Sequence, residues 1–225
     1  MTTSMPVLVR CALCGGESHQ NVLSSTSTFG PPDLDLRPNG PARWALGFRI
    51  QRCPSCGYCA ANIGQRIAGA ERAVASVVYR DVLENARMPA LARQYFCAAL
   101  VAEAAALRDE AARRFTDAAW VCDDEGAVEQ ARICRQRAAE MLALAIEWGD
   151  VPTESPVVRG VLADLWRRAG RYEEAIAAAE AGEALLDAED EEQSDTATVL
   201  GFLRELAEAR DDDAHSVAEA FARDE

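Results

Sequence analysis

The chain contains no lysine: all 23 of its basic residues are arginine. That excludes Schiff-base catalysis, and with it any phosphate loop ending in Gly-Lys-Ser/Thr. Histidine is nearly as scarce, and neither His19 nor His215 lies in a nucleophile motif. No GxGxxG fingerprint occurs. Long apolar runs are also missing, since the stretch Tyr95–Ala102 ends at Glu103, well short of a membrane span. Met1–Arg10 lacks the apolar core of a secretory signal, so the expected location is the cytoplasm, where thiols stay reduced.

What is present is acidic and uneven. The formal charge is −14. Asp and Glu counted against Arg give +3 over residues 1–70, −6 over 71–186 and −11 over 187–225. Phosphate neutralisation needs clustered cations, so general nucleic-acid or anionic-membrane binding is disfavoured. The mildly basic first 70 residues, with Arg43, Arg49 and Arg52 around Trp44, leave a nucleic-acid-binding ribbon as the alternative.

Four of the eight cysteines form two matching knuckles, Cys11-Ala-Leu-Cys14-Gly15 and Cys53-Pro-Ser-Cys56-Gly57. Two C-x2-C pairs supply the four thiolates of a tetrahedral zinc site, each pair chelating one edge. A glycine after the second cysteine lets the chain turn with φ > 0 and aim N–H groups at the sulfurs. The metal ligands expected are Cys11, Cys14, Cys53 and Cys56, around one structural Zn2+. Four protein ligands leave no open coordination position, so no catalytic role is expected of the metal or the chain. Cys59 extends the second knuckle to C-x2-C-x2-C, the beginning of an iron–sulfur run. Position 63 is Ile, however, where the fourth ligand of that run belongs. A redox or iron–sulfur protein is therefore a further alternative, with Cys59 otherwise packing behind the knuckle. His19 is expected on a loop surface, and Cys97, Cys122 and Cys134 as small core hydrophobes.

Along the chain, Val7–Val9 reads as a short strand into the first knuckle, and 15–42 as irregular loop rich in Ser, Thr, Gly and Pro. Trp44, Leu46, Phe48 and Ile50 alternate with Ala45, Gly47, Arg49 and Gln51, a period of two that predicts a strand into the second knuckle. The spacing then changes toward 3.6. Helices are expected at about 68–87, 90–106, 108–122, 125–148, 156–169, 172–187, 195–210 and 213–222, with Glu189–Glu192 as a solvated linker. The fold class expected is mainly α: a small N-terminal β ribbon followed by an α-helical hairpin array. The division expected is 1–66 ribbon with a long loop insert, 67–187 helical array and 188–225 acidic C-terminal helices and tail.

Within the array, Gly170-Arg-Tyr172-Glu-Glu-Ala175-Ile176 resembles a tetratricopeptide turn and second helix. Leu107–Ala118 aligns with it, placing Ala111, Phe115 and Ala118 at the repeat's small, aromatic and small positions. The knuckles, the Cys53-Pro-Ser-Cys56-Gly57-Tyr58 signature and these hairpins together resemble an uncharacterised bacterial family of zinc ribbons joined to tetratricopeptide-like helices, a domain of unknown function. The resemblance covers roughly residues 8–187 and implies a fold without an activity. Repeat helices usually serve as interaction surfaces. The expected role is thus a non-enzymatic, zinc-binding scaffold for a protein or peptide, with Arg167 and Arg168 as candidate grips on a partner's carboxylates. Asp33, Asp35 and Arg37 are expected to tie their loop to its own domain, and Trp120, Trp148 and Trp166 to pack in the core.

Overall fold

A computed structural model describes residues 2–187 and 193–222, so the expected linker Glu189–Glu192 lies outside the described residues. The protein is mainly helical with a small N-terminal β portion, as the patterning predicts. Strands β1 (Thr3–Arg10) and β2 (Glu17–Ser25) form an antiparallel hairpin whose turn is the first knuckle. Strands β3 (Gln51–Arg52) and β4 (Cys59–Ala60) form a second, much shorter hairpin around the second knuckle.

Two local expectations change here. Residues 17–25 are a strand rather than loop; both faces of the hairpin are largely exposed, so no apolar alternation marks it. Residues 44–50 are not a strand. Gly40 takes φ +68 and Pro41 opens a tight helical turn over Gly40–Trp44, followed by another over Leu46–Phe48. Leu46 and Ile50 are buried, but Trp44 is exposed.

Nine helices follow among the described residues: α1 (Ala70–Ala75), α2 (Val77–Glu84), α3 (Ala90–Ala104), α4 (Arg108–Asp124), α5 (Val128–Trp148), α6 (Pro156–Arg168), α7 (Tyr172–Glu183), α8 (Ser194–Glu208) and α9 (Val217–Phe221). The single helix expected at 68–87 is two, because Ser76 turns extended and its hydroxyl accepts the Tyr79 N–H at 3.2 Å, capping α2. From α3 to α8, each helix packs against the next in sequence.

The sharp turns between them share one chemistry. After α3, α4, α5, α6 and α8, a left-handed residue (Ala106, Gly126, Gly149, Gly170, Arg210) ends the helix. In each case the following N–H reaches back five residues, as from Leu107 to the Ala102 carbonyl at 2.9 Å and from Arg171 to Trp166 at 2.9 Å. This is the Schellman arrangement, which satisfies the last carbonyls of a helix. Small residues set the closest approaches: a Cβ on Gly182 would lie 2.9 Å from Leu200 and 3.0 Å from Arg159. Ala111, Phe115, Ala118 and Ala175 are all buried at helix contacts.

One hydrophobic core runs from Cys11 and Cys53 through Tyr79 and Tyr95 to Leu203 and Ala220. Polar anchors join ribbon to helices within it. Tyr79 of α2 donates to the Gly57 carbonyl at 2.9 Å and accepts from the Cys59 N–H at 3.0 Å, and Tyr95 of α3 donates to the Leu46 carbonyl at 2.8 Å. Trp120 is buried and Trp166 partly so, whereas Trp148 is exposed beneath the Arg108 guanidinium, 4.6 Å from the ring centre. Among the described residues no helix is long and apolar enough to cross a membrane.

Candidate metal centre

The two knuckles have the same backbone. In the first, the Cys11 N–H bonds the Gly16 carbonyl at 2.8 Å and the Gly15 N–H bonds Cys11 at 2.9 Å. In the second, Cys53 N–H bonds Tyr58 at 2.8 Å and Gly57 N–H bonds Cys53 at 3.0 Å. Gly15 and Gly57 take φ +74 and +80, the left-handed turn that a glycine supplies at no steric cost. Gly57 is also crowded, since a Cβ there would meet Leu83 of α2 at 2.8 Å. The Ala12 N–H bonds the Ile63 carbonyl at 2.9 Å, tying the first knuckle to the chain leaving the second.

This brings the four expected cysteines together. Their Sγ atoms all lie within 4.8 Å of one another, with Cys11–Cys56 at 3.7 Å and Cys14–Cys53 at 3.6 Å. No two are bonded as a disulfide; all eight cysteines are free. A tetrahedral ion with metal–sulfur bonds of ~2.3 Å requires sulfur–sulfur edges of ~3.8 Å, so the group can hold a single metal ion. Cys11 and Cys53 are buried and Cys14 is exposed, which puts the site at the edge of the core.

The thiols do not behave alike. Burial works against ionising Cys53, but N–H groups of Cys56 and Ser55 and the neighbouring thiols bring it down to about 7. Burial and the surrounding sulfurs push Cys56 well up, and burial raises Cys11. One thiolate forms readily, and the next must form beside it; a cation at the centre removes that conflict.

Cys59 is not in the group. Its buried thiol donates to the Gly57 carbonyl at 3.3 Å and faces Cys97 and Tyr79. His19 is also outside, exposed on β2 opposite Leu8. Cys97, Cys122 and Cys134 are fully buried in helices.

The loop between the knuckles does what Asp33, Asp35 and Arg37 suggested, and reaches further than expected. Asp35 is buried and its carboxylate accepts from Trp120 Nε1 at 2.7 Å and Arg168 at 3.3 Å, with Arg135 at 4.0 Å. Arg37 pairs with Asp124 at 2.6 Å, and Asp33 with Arg43 at 2.8 Å. The Leu34 N–H bonds the His215 carbonyl at 3.0 Å, and the Val217 N–H bonds Pro32 at 2.9 Å.

Arg167 and Arg168, expected to grip a partner, are therefore interior. Arg167 is fully buried, bonded to Asp164 at 2.6 Å and to the Asp211 and Asp213 carbonyls at 2.7 and 3.0 Å. Arg168 holds Asp35 and, at 3.0 Å, Asp123. Despite its burial, Asp123 is kept below the usual carboxylate range by Arg135 and Arg168. Asp164 is one turn from Arg167 on the same helix, but the other partners, residues 35, 123 and 211, are far away in sequence, so the network cannot be read from its pattern.

The fold and site together define a class: a helical protein with a four-cysteine cluster, able to hold a metal ion, beside its N-terminal strands. In comparisons with protein-family models, curated proteins and solved structures, nothing matches the chain.

Proposed function

We propose that the chain is a zinc-stabilised, non-catalytic scaffold that binds a protein or peptide. The observation that carries this reading is the closed set of four sulfurs at tetrahedral spacing. An all-cysteine set is soft and favours Zn2+ among the abundant divalent ions, and it leaves no coordination position for water or substrate. The compactness of the sulfur group also favours one ion over an iron–sulfur cluster, whose several irons spread their thiolates further apart. Zinc in this role clamps two turns rather than reacting.

The partner surface is sought away from Arg167 and Arg168. Exposed large apolar residues are better candidates, above all Phe29 and Trp44 on the loop between the knuckles, because exposed aromatic rings supply much of the energy of docking. Of the three arginines behind the nucleic-acid alternative, Arg43 is paired with Asp33.

Elemental analysis of purified protein is expected to give one zinc per chain in a colourless preparation. A coloured preparation containing iron and labile sulfide would overturn the metal assignment. Affinity capture from native lysate with wild type and the Phe29→Ala/Trp44→Ala double variant tests the scaffold. The reading fails if no protein is enriched by wild type over the variant.

A further inference from the structure

The four clustered sulfurs are not equally reachable. Cys11 and Cys53 are buried, whereas Cys14 is exposed and Cys56 partly so. Cys14 and Cys56 both line a groove of about 550 Å3 between the knuckles and α1–α2, with Leu13, Val74, Ala75 and Leu83 among its walls. Small solutes reach the sulfurs from this side. The remaining cysteines, at 59, 97, 122 and 134, are fully buried.

Each sulfur on the groove has a buried sulfur of the other knuckle beside it. Cys14 lies 3.6 Å from Cys53, and Cys56 lies 3.7 Å from Cys11. The knuckles press together here: a Cβ on Gly16 would meet Ser55 Oγ at 2.8 Å and Cys14 Sγ at 3.4 Å. An accessible sulfur with a second one in contact is what reversible oxidation requires, the first being oxidised and the second resolving it as a disulfide.

We propose that Cys14 is an oxidation site for hydrogen peroxide and that Cys53 resolves it, linking the two knuckles through a disulfide. The inference rests on the zinc-clamp reading and adds its regulation. A sulfur bound to a metal is held as thiolate, the form that attacks a peroxide. The Cys14 thiolate attacks one peroxide oxygen: the S–O bond forms, the O–O bond breaks, and the departing hydroxide takes a proton from solvent to become water. The Cys53 thiolate then attacks the Cys14 sulfur: the S–S bond forms, the S–O bond breaks, and a second hydroxide leaves as water. Two electrons pass from sulfur to peroxide. With two of its four ligands withdrawn, the ion is left on Cys11 and Cys56 and is released. Tyr79 still holds the Gly57 carbonyl, so the change stays within the ribbon.

Equimolar hydrogen peroxide added to the full-length, zinc-loaded protein tests the proposal. Zinc is expected to pass to a chromogenic chelator, and non-reducing peptide mass spectrometry is expected to show Cys14–Cys53 as the first linkage. Reductant with added zinc is expected to restore the starting metal content. Ala75→Trp, at an exposed position on the groove wall, is expected to retain its zinc and to slow the release severalfold. Zinc content before peroxide reads the metal assignment separately: a zinc-free chain that forms the same linkage keeps this proposal and removes the clamp reading. The proposal is overturned by zinc release no faster with peroxide than without it. It is equally overturned by a first linkage within one knuckle or at a buried helix cysteine, or by Ala75→Trp reacting at the wild-type rate.

Discussion

At the scale of single residues, buried charge dominates, and the sign of its effect depends on how each charge is paired. Asp35 sits among Trp120, Arg168 and Arg135, so removing it strands buried donors. Asp35→Ala is expected to cost ~3–5 kcal/mol in urea unfolding, and Asp35→Asn less, because the amide oxygen still accepts from Trp120. Asp117 is the opposite case. Burial outweighs the attraction of Arg114 and lifts its carboxyl to about 6, above the ~3.9 of an unfolded chain. The folded state therefore favours the protonated form; that stabilisation is present below pH ~4 and lost as pH rises through 6. Asp117→Asn is expected to be more stable than wild type at pH 7.5, by up to ~3 kcal/mol, with the gap closing toward pH 4. Parallel denaturation curves at the two pH values check the sign. Neither behaviour is written locally in the sequence. Arg167-Arg168 reads as a solvated pair on a helix end; Asp164 lies one turn back on the same helix, but only the fold brings residues 35, 123 and 211 to it.

At the scale of elements, what was legible is what is local. The knuckles announce themselves because ligand spacing and the following glycine are set within five residues. Most helices are legible because their apolar faces and stop signals recur every turn. β2 was not, because a ribbon exposed on both faces has no alternating pattern to show, and the alternation at 44–50 misleads because Gly40 and Pro41 start a turn there. The turns offer a test of this local chemistry. Ala106 pays for a left-handed conformation that Gly126 and Gly170 adopt freely, so Ala106→Gly is expected to stabilise by ~0.5–1 kcal/mol in thermal unfolding. Gly57 and Gly149 have similar φ, but only Gly57 faces a neighbour, Leu83. Gly57→Ala should therefore destabilise more than Gly149→Ala and also weaken metal retention, measured by competition with a chromogenic chelator.

At the scale of the whole molecule, the clustered cysteines and the helices share one core. Metal removal is expected to lower the melting temperature while helical circular dichroism persists below it, because Cys11, Cys14, Cys53 and Cys56 lie outside the helices that pack on one another. Thiol labelling without denaturant gives the sharper count. Chelation should expose Cys11, Cys14, Cys53 and Cys56, while Cys59, Cys97, Cys122 and Cys134 stay protected in the core. Labelling of all eight would mean that the ribbon holds the helices together.

The loop between the knuckles also bears on how the chain is made. The clustered cysteines, at positions 11 to 56, leave the ribosome before the helices behind them. Asp35, however, waits for Arg168, 133 residues downstream, and Leu34 waits for the backbone at His215. The loop thus leaves the ribosome before the helices and is completed only after them. Until α6 and the stretch around His215 emerge, the loop lacks these partners and keeps local ties such as Asp33 to Arg43.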